Sequence, residues 1–277
     1  MIRAFRLAAV CLIAVAMLGM PTSARQANGA AAVEALIAKA AAYVREYRDQ
    51  LTYVMATERY TQKLTGGFSM YDMDVTLASD VFFVYVPADN VWMAIRDVEI
   101  VDGKVLKERA NVRALLNSGQ AGAARALKDK NAKYNLGTIV RNFNEPTLSL
   151  LVLDDAHRSR FTFVRQRTSG TRTVVSFAEH GTPSLIMNVD GTPAYSVGEL
   201  TIDTASGRVE HATLRVRLGT VDATLTTRYR ADDKLKMWVP AQFDELYTDG
   251  PGRNPQKVTG KAVYREYSRL VFVVRNK

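Results

Sequence analysis

An α+β fold is predicted: an antiparallel sheet of roughly ten strands, covered on its apolar face by an N-terminal helix and a helical insert. Three observations predict it. One early segment carries apolar residues at helical spacing. The remainder is dominated by β-branched and aromatic runs broken by Gly- and Asp-containing turns. In the C-terminal half no helical pattern separates these runs, so neighbouring strands must be antiparallel, because parallel pairs need long crossovers.

The chain begins with a secretory signal. Arg3 and Arg6 form a positive start, Leu7 to Leu18 is an uncharged apolar run, and Thr22-Ser23-Ala24 supplies small residues at the cleavage position. The run is shorter than the roughly 20 residues that span a bilayer, and Pro21 follows it. Residues 1–24 are therefore read as signal peptide and 25–277 as a single domain, periplasmic or secreted, with no transmembrane anchor after cleavage. Cys11, the one cysteine, lies inside the apolar run rather than just after it, where a lipidated cysteine would stand. The mature chain thus has no disulfide, thiolate nucleophile or cysteine-bound metal.

Removing Arg3 and Arg6 lowers the formal net charge from +9 to +7. In an exported protein this modest excess points to an anionic membrane surface or wall rather than nucleic acid, or simply to a solvated surface.

The helical segment runs from Ala31 to about Gln50, with Val33, Leu36, Ile37, Ala40, Val44, Tyr47 and Leu51 on one face. After Tyr53 come Thr76 to Val86, a turn at Pro87–Asn90, and Val91 to Val101, closed by the hairpin dipeptide Asp102-Gly103. The insert follows, with Val112, Leu115 and Leu116 on one short helix and Ala121, Ala124 and Leu127 on a second ending before Gly137. Arg125, Lys128, Lys130 and Lys133 make the second helix basic, a candidate contact for anionic headgroups or an acidic partner; a solvated face is the plain alternative.

From Leu148 onward a β pattern is expected, through Phe161 and Phe163, Val174 to Phe177, Leu185 to Val189, Leu200 and Ile202, and Leu214 to Leu218. The strand Val221 to Arg230 shows the period most clearly: Val221, Ala223, Leu225 and Tyr229 share one side with Thr227, and charged or hydroxyl residues take the other.

Gly198 to Val216 (GELTIDTASGRVEHATLRV) and Thr224 to Tyr247 resemble the hairpin rhythm of the outer-membrane lipoprotein carrier (LolA/LolB-like) superfamily, including its strand, Asp203, Ser206-Gly207, strand unit. Other strings resemble uncharacterised secreted bacterial proteins. The carrier resemblance implies that the single domain 25–277 is a half-barrel, a strongly curved and incomplete barrel lidded by helices, with a cavity for acyl chains. No residue that handles cargo in that superfamily is matched here.

Catalytic signals are weak. His157, His180 and His211 are isolated, and no HExxH pair accompanies them. Ser196, in Ala194-Tyr195-Ser196-Val197-Gly198, falls between strands rather than on a strand-to-helix elbow. The pairs Asp72/Asp74, Asp154/Asp155 and Asp232/Asp233 suit turns. No cofactor or metal is expected.

Together with the weak catalytic signals, the resemblance implies a non-enzymatic protein that binds an acyl chain or lipidated partner. The proposed cavity wall comprises Trp92, Met93, Phe143, Leu150, Phe161, Phe163, Trp238 and Phe243, although ordinary core is the plainer reading of each. Two rival readings stay open: an envelope protein–protein interaction or stress-sensing module with a filled core, and an exported enzyme of unrecognised type.

Overall fold

The computed structural model describes residues 22–67, 72–86, 91–109, 112, 126, 129, 131–141, 144–250 and 255–270. Helix α1 spans Thr22–Leu51. Thirteen strands follow: β1 Val54–Thr65, β2 Met73–Val86, β3 Val91–Val101, β4 Lys104–Val105, β5 Phe161–Ser169, β6 Arg172–Glu179, β7 Ile186–Met187, β8 Pro193–Ala194, β9 Ser196–Asp203, β10 Val209–Leu218, β11 Val221–Asp232, β12 Met237–Asp249 and β13 Gln256–Arg269. Eleven form one antiparallel sheet in the order β4-β3-β2-β1-β13-β12-β11-β10-β9-β6-β5, and β7 pairs with β8 alone. The sheet does not close, so β4 and β5 are its edges.

Register shifts between Met55 and Thr57, Ala78 and Ser79, Arg165 and Arg167, Val209 and His211, and Arg228 and Tyr229 interrupt the ladders. Such bulges bend strands and increase their twist. One consequence is visible in α1, which packs on both β2 and β5, strands from opposite ends of the sheet order.

The helical face read from the sequence is the buried one: Val33, Ile37, Ala40, Val44, Tyr47 and Leu51 are all inaccessible or nearly so, and Leu36 is half-buried at its margin. Burying the large apolar members of this set stabilises by roughly 1.5–3 kcal/mol each before chain entropy is counted. Tyr47 anchors the centre, its ring 6.0 Å from Trp92 and 6.2 Å from Tyr229 in edge-on contacts. At the far end of the sheet, Lys39 donates to the carbonyls of Thr204 and Ala205, tying α1 to the β9–β10 turn.

That turn is built as its sequence suggests. Asp203 accepts hydrogen bonds from the Ser206 backbone N–H at 2.9 Å and the Ser206 hydroxyl at 2.6 Å, and Gly207 takes φ +76°. The Asp102-Gly103 hairpin also has positive φ at both positions, 48° and 77°, as a type I′ turn requires.

Two expectations need correction. Leu148–Leu153 is a 3-10 helix rather than a strand, and all six of its residues are buried. A short apolar run buried on every side shows no period, so strand and helix read alike. This segment caps the concave face: the Pro146 carbonyl just before it accepts from Thr227 at 2.6 Å and from Tyr229 at 3.0 Å, which explains a threonine on the inward face of β11. Secondly, of Leu185 to Val189 only Ile186–Met187 pairs as strand.

Much of the insert lies outside the described residues, as does the turn at Pro87–Asn90. Val112 is buried against Phe82, Val84, Met93 and Ile95, on the outer face of β2 and β3. The inner face is covered instead by residues 131–141 and 144–154, which include a 3-10 turn at Ala132–Tyr134.

Candidate functional site

The described cavity-wall candidates do not converge. Trp92, Leu150 and Phe243 are buried in the main core among packed neighbours, and Trp238 packs half-buried at its margin, with the Arg208 guanidinium 4.1 Å above its ring. Met93 belongs to the separate cluster on the outer face, because successive strand residues point to opposite sides. Phe143 lies outside the described residues. Phe161 and Phe163 line an open space.

That space is a groove of about 650 Å³ between the N-terminal part of α1 and β5. Gly29, Ala30, Val33, Glu34 and Ile37 form one wall; Asp155, Arg158, Ser159, Phe161, Phe163, Val164 and Arg165 form the other. Its size falls within the roughly 300–1,000 Å³ of ordinary ligand sites. The groove exists because α1 is built of small residues here. A Cβ placed on Gly29 would meet nothing within 4 Å.

The opposite wall is closely packed. Phe161 packs edge-on against Phe177 with centroids 5.8 Å apart, and lies 6.4 Å from Phe163. Phe177 in turn lies over Gly198, its cross-strand partner, where a Cβ would come within 2.4 Å of the ring. Charges mark the rim. Asp155 pairs with Arg45 at 2.9 Å and Arg158 at 3.3 Å, whereas Arg165 has no ion-pair or hydrogen-bond partner among the described residues.

Deeper under the concave face the sheet is filled by a polar cluster that the sequence did not reveal. Glu58 and Arg96 make two contacts, at 2.5 and 2.9 Å, and the guanidinium sits 4.6 Å from the Tyr60 ring. Burial opposes the Arg96 charge, but the Glu58 carboxylate more than offsets this, so its pKa lies well above the ordinary value. Arg141, fully enclosed, donates to Gln62 at 2.7 Å and to the Leu136 carbonyl at 3.0 Å. Glu245 lies beside Tyr60 and Tyr247; burial raises its carboxyl pKa, with Arg96 and Arg141 pulling the other way. Only about 30 Å³ remains open in this region, room for one or two waters.

Ser196 and His157 are held by neighbouring side chains. The Ser196 hydroxyl is buried and donates to Glu179 at 2.9 Å, while His157 contacts Arg160 through Nδ1. His211 is half-buried on β10, and burial together with Arg228 lowers its pKa. No group of three or more His, Cys, Asp or Glu suited to a metal occurs among the described residues. Of the basic candidates, Lys133 is exposed and lies 4.9 Å from the Tyr134 ring; Arg125, Lys128 and Lys130 fall outside the described residues. No helix among the described residues is long and apolar enough to cross a membrane.

No protein-family model matches the chain, and no curated protein matches it in sequence. Among solved structures it is similar to a LolA superfamily protein from Nitrosomonas europaea, at 10% identity over 83% of this chain and 94% of that one, with a TM-score of 0.33. It is also similar to a DUF1329 family protein from Desulfovibrio piger, at 9% identity over 87% and 94%, with a TM-score of 0.34. The first bears the family name that the sequence resemblance suggested.

Proposed function

We propose that the mature protein is a periplasmic, non-enzymatic binding protein that holds an acyl chain in the groove between α1 and β5. The observation that carries this reading is the unfilled space of about 650 Å³ walled by Val33, Ile37, Phe161, Phe163 and Val164. Burying ten methylenes there would gain on the order of 8 kcal/mol before ordering costs. Arg165 at the rim supplies a cation for a carboxylate or other anionic head. On this reading the acyl chain lies at the side of the half-barrel rather than beneath its centre.

A second reading keeps a specific observation in its favour. The centre of the concave face is filled by 148–153 and by the Glu58–Arg96 cluster, as in an interaction module with a packed interior. Organic extraction of native protein followed by mass spectrometry separates the two. Acyl lipid released in near-stoichiometric amount supports the carrier reading; no extracted lipid, together with no binding of a fluorescent fatty acid, rejects it for the interaction module.

A further inference from the structure

Strand β5 is an edge of the eleven-stranded sheet, and every residue from Val164 to Ser169 is exposed. The direction of its backbone groups follows from one hydrogen bond. The His180 N–H donates to the Arg160 carbonyl at 2.9 Å, and Phe161 opposite Glu179 sets the register. In an antiparallel ladder hydrogen-bonded and non-bonded pairs alternate. Thr162 and Val164 therefore turn their backbone groups toward β6, while Phe163 and the Arg165 N–H turn theirs outward to the free edge.

The side chains along this edge are cationic. Arg165 and Arg167 have no acidic partner among the described residues, unlike Arg158, which pairs with Asp155, and Arg172, which pairs with Glu210 at 2.5 Å. Like charges placed opposite one another destabilise strand pairing, so two copies of this chain would be repelled if they met β5 to β5. A strand carrying Asp or Glu would pair with the same arginines favourably.

We infer that β5 is a docking edge for an extended acidic polypeptide segment, which adds to the sheet as a further strand. Main-chain hydrogen bonds to Phe163 and Arg165 would supply affinity, and Arg165 and Arg167 would select acidic over basic sequences. The inference does not rest on acyl binding, since it uses the edge backbone and charges rather than the groove's volume.

The test uses the mature protein with two fluorescein-labelled octapeptides, one alternating Val and Glu, the other alternating Val and Lys. Fluorescence anisotropy should show the Glu peptide binding at least tenfold more tightly, and its binding should slow amide exchange at Phe163 and Arg165. The double variant R165E/R167E changes only exposed positions and should reverse the preference. Equal binding of both peptides, a preference unchanged by charge reversal, or no slowing at those amides would overturn the inference. Concentration-dependent self-association that protects the same amides without peptide would also overturn it, by showing that a second copy is the occupant.

Discussion

Gly207, in the β9–β10 turn, sits directly against the Lys39 carbonyl of α1: a Cβ on this glycine would come within 2.6 Å of that oxygen. With φ at +76°, the position suits glycine for two separate reasons. This contact, with the Lys39 ammonium bound to Thr204 and Ala205, sets how closely α1 approaches the sheet. Helix position in turn sets the width of the groove beside β5.

Gly207→Ala should therefore act on both stability and binding. A cost on the order of 2–3 kcal/mol is expected, part from strained backbone and part from lifting the helix. Urea denaturation measures it; a change below about 0.5 kcal/mol would mean that the helix yields freely.

Removing one half of the Glu58–Arg96 pair leaves a buried charge without its partner. Arg96→Met should destabilise by about 3–5 kcal/mol, and the double change E58Q/R96M by distinctly less. A double-mutant cycle in urea gives the coupling. Additive losses would show that the pair does not act as a unit.

Glu245 predicts a pH dependence. Burial raises its carboxyl pKa in the folded protein, whereas the unfolded chain ionises near the ordinary value of about 4.3. Folded protein then holds the proton more tightly, so this group's contribution is most favourable below that pH and declines as pH rises toward the folded value. Glu245→Gln abolishes the decline. The stability of the glutamine variant relative to wild type should accordingly rise with pH across that window, and parallel curves would contradict the assignment.

Much of this architecture was legible because it is local. The α1 stripe from Val33 to Leu51 and the β11 alternation follow from helical and strand periods, and Asp102-Gly103 and Asp203 to Gly207 follow from turn chemistry. Arg96 was not legible as a core residue: in Ala94-Ile95-Arg96-Asp97 it reads as a solvent-facing position, and its partner Glu58 lies on another strand. Glu245 and Arg141 join the same cluster only through tertiary pairing. Leu148–Leu153 read as a strand because apolar residues buried all round show no period. Phe161 and Phe163 were found as aromatic candidates, but the groove itself arises from side chains that Gly29 and Ala30 lack, and small residues in an alanine-rich helix give no signal.

Filling that groove tests its role most directly. Ala30 is exposed and lines it, so Ala30→Trp should occupy the space without disturbing the core. The measurement is titration of a fluorescent long-chain fatty acid into wild-type and Ala30→Trp mature protein, with thermal unfolding of both as the folding control. Saturable binding by wild type that weakens at least tenfold in the variant, at unchanged melting temperature, is the expected result; equal binding by both proteins, or none by wild type after delipidation, would contradict an acyl site between α1 and β5.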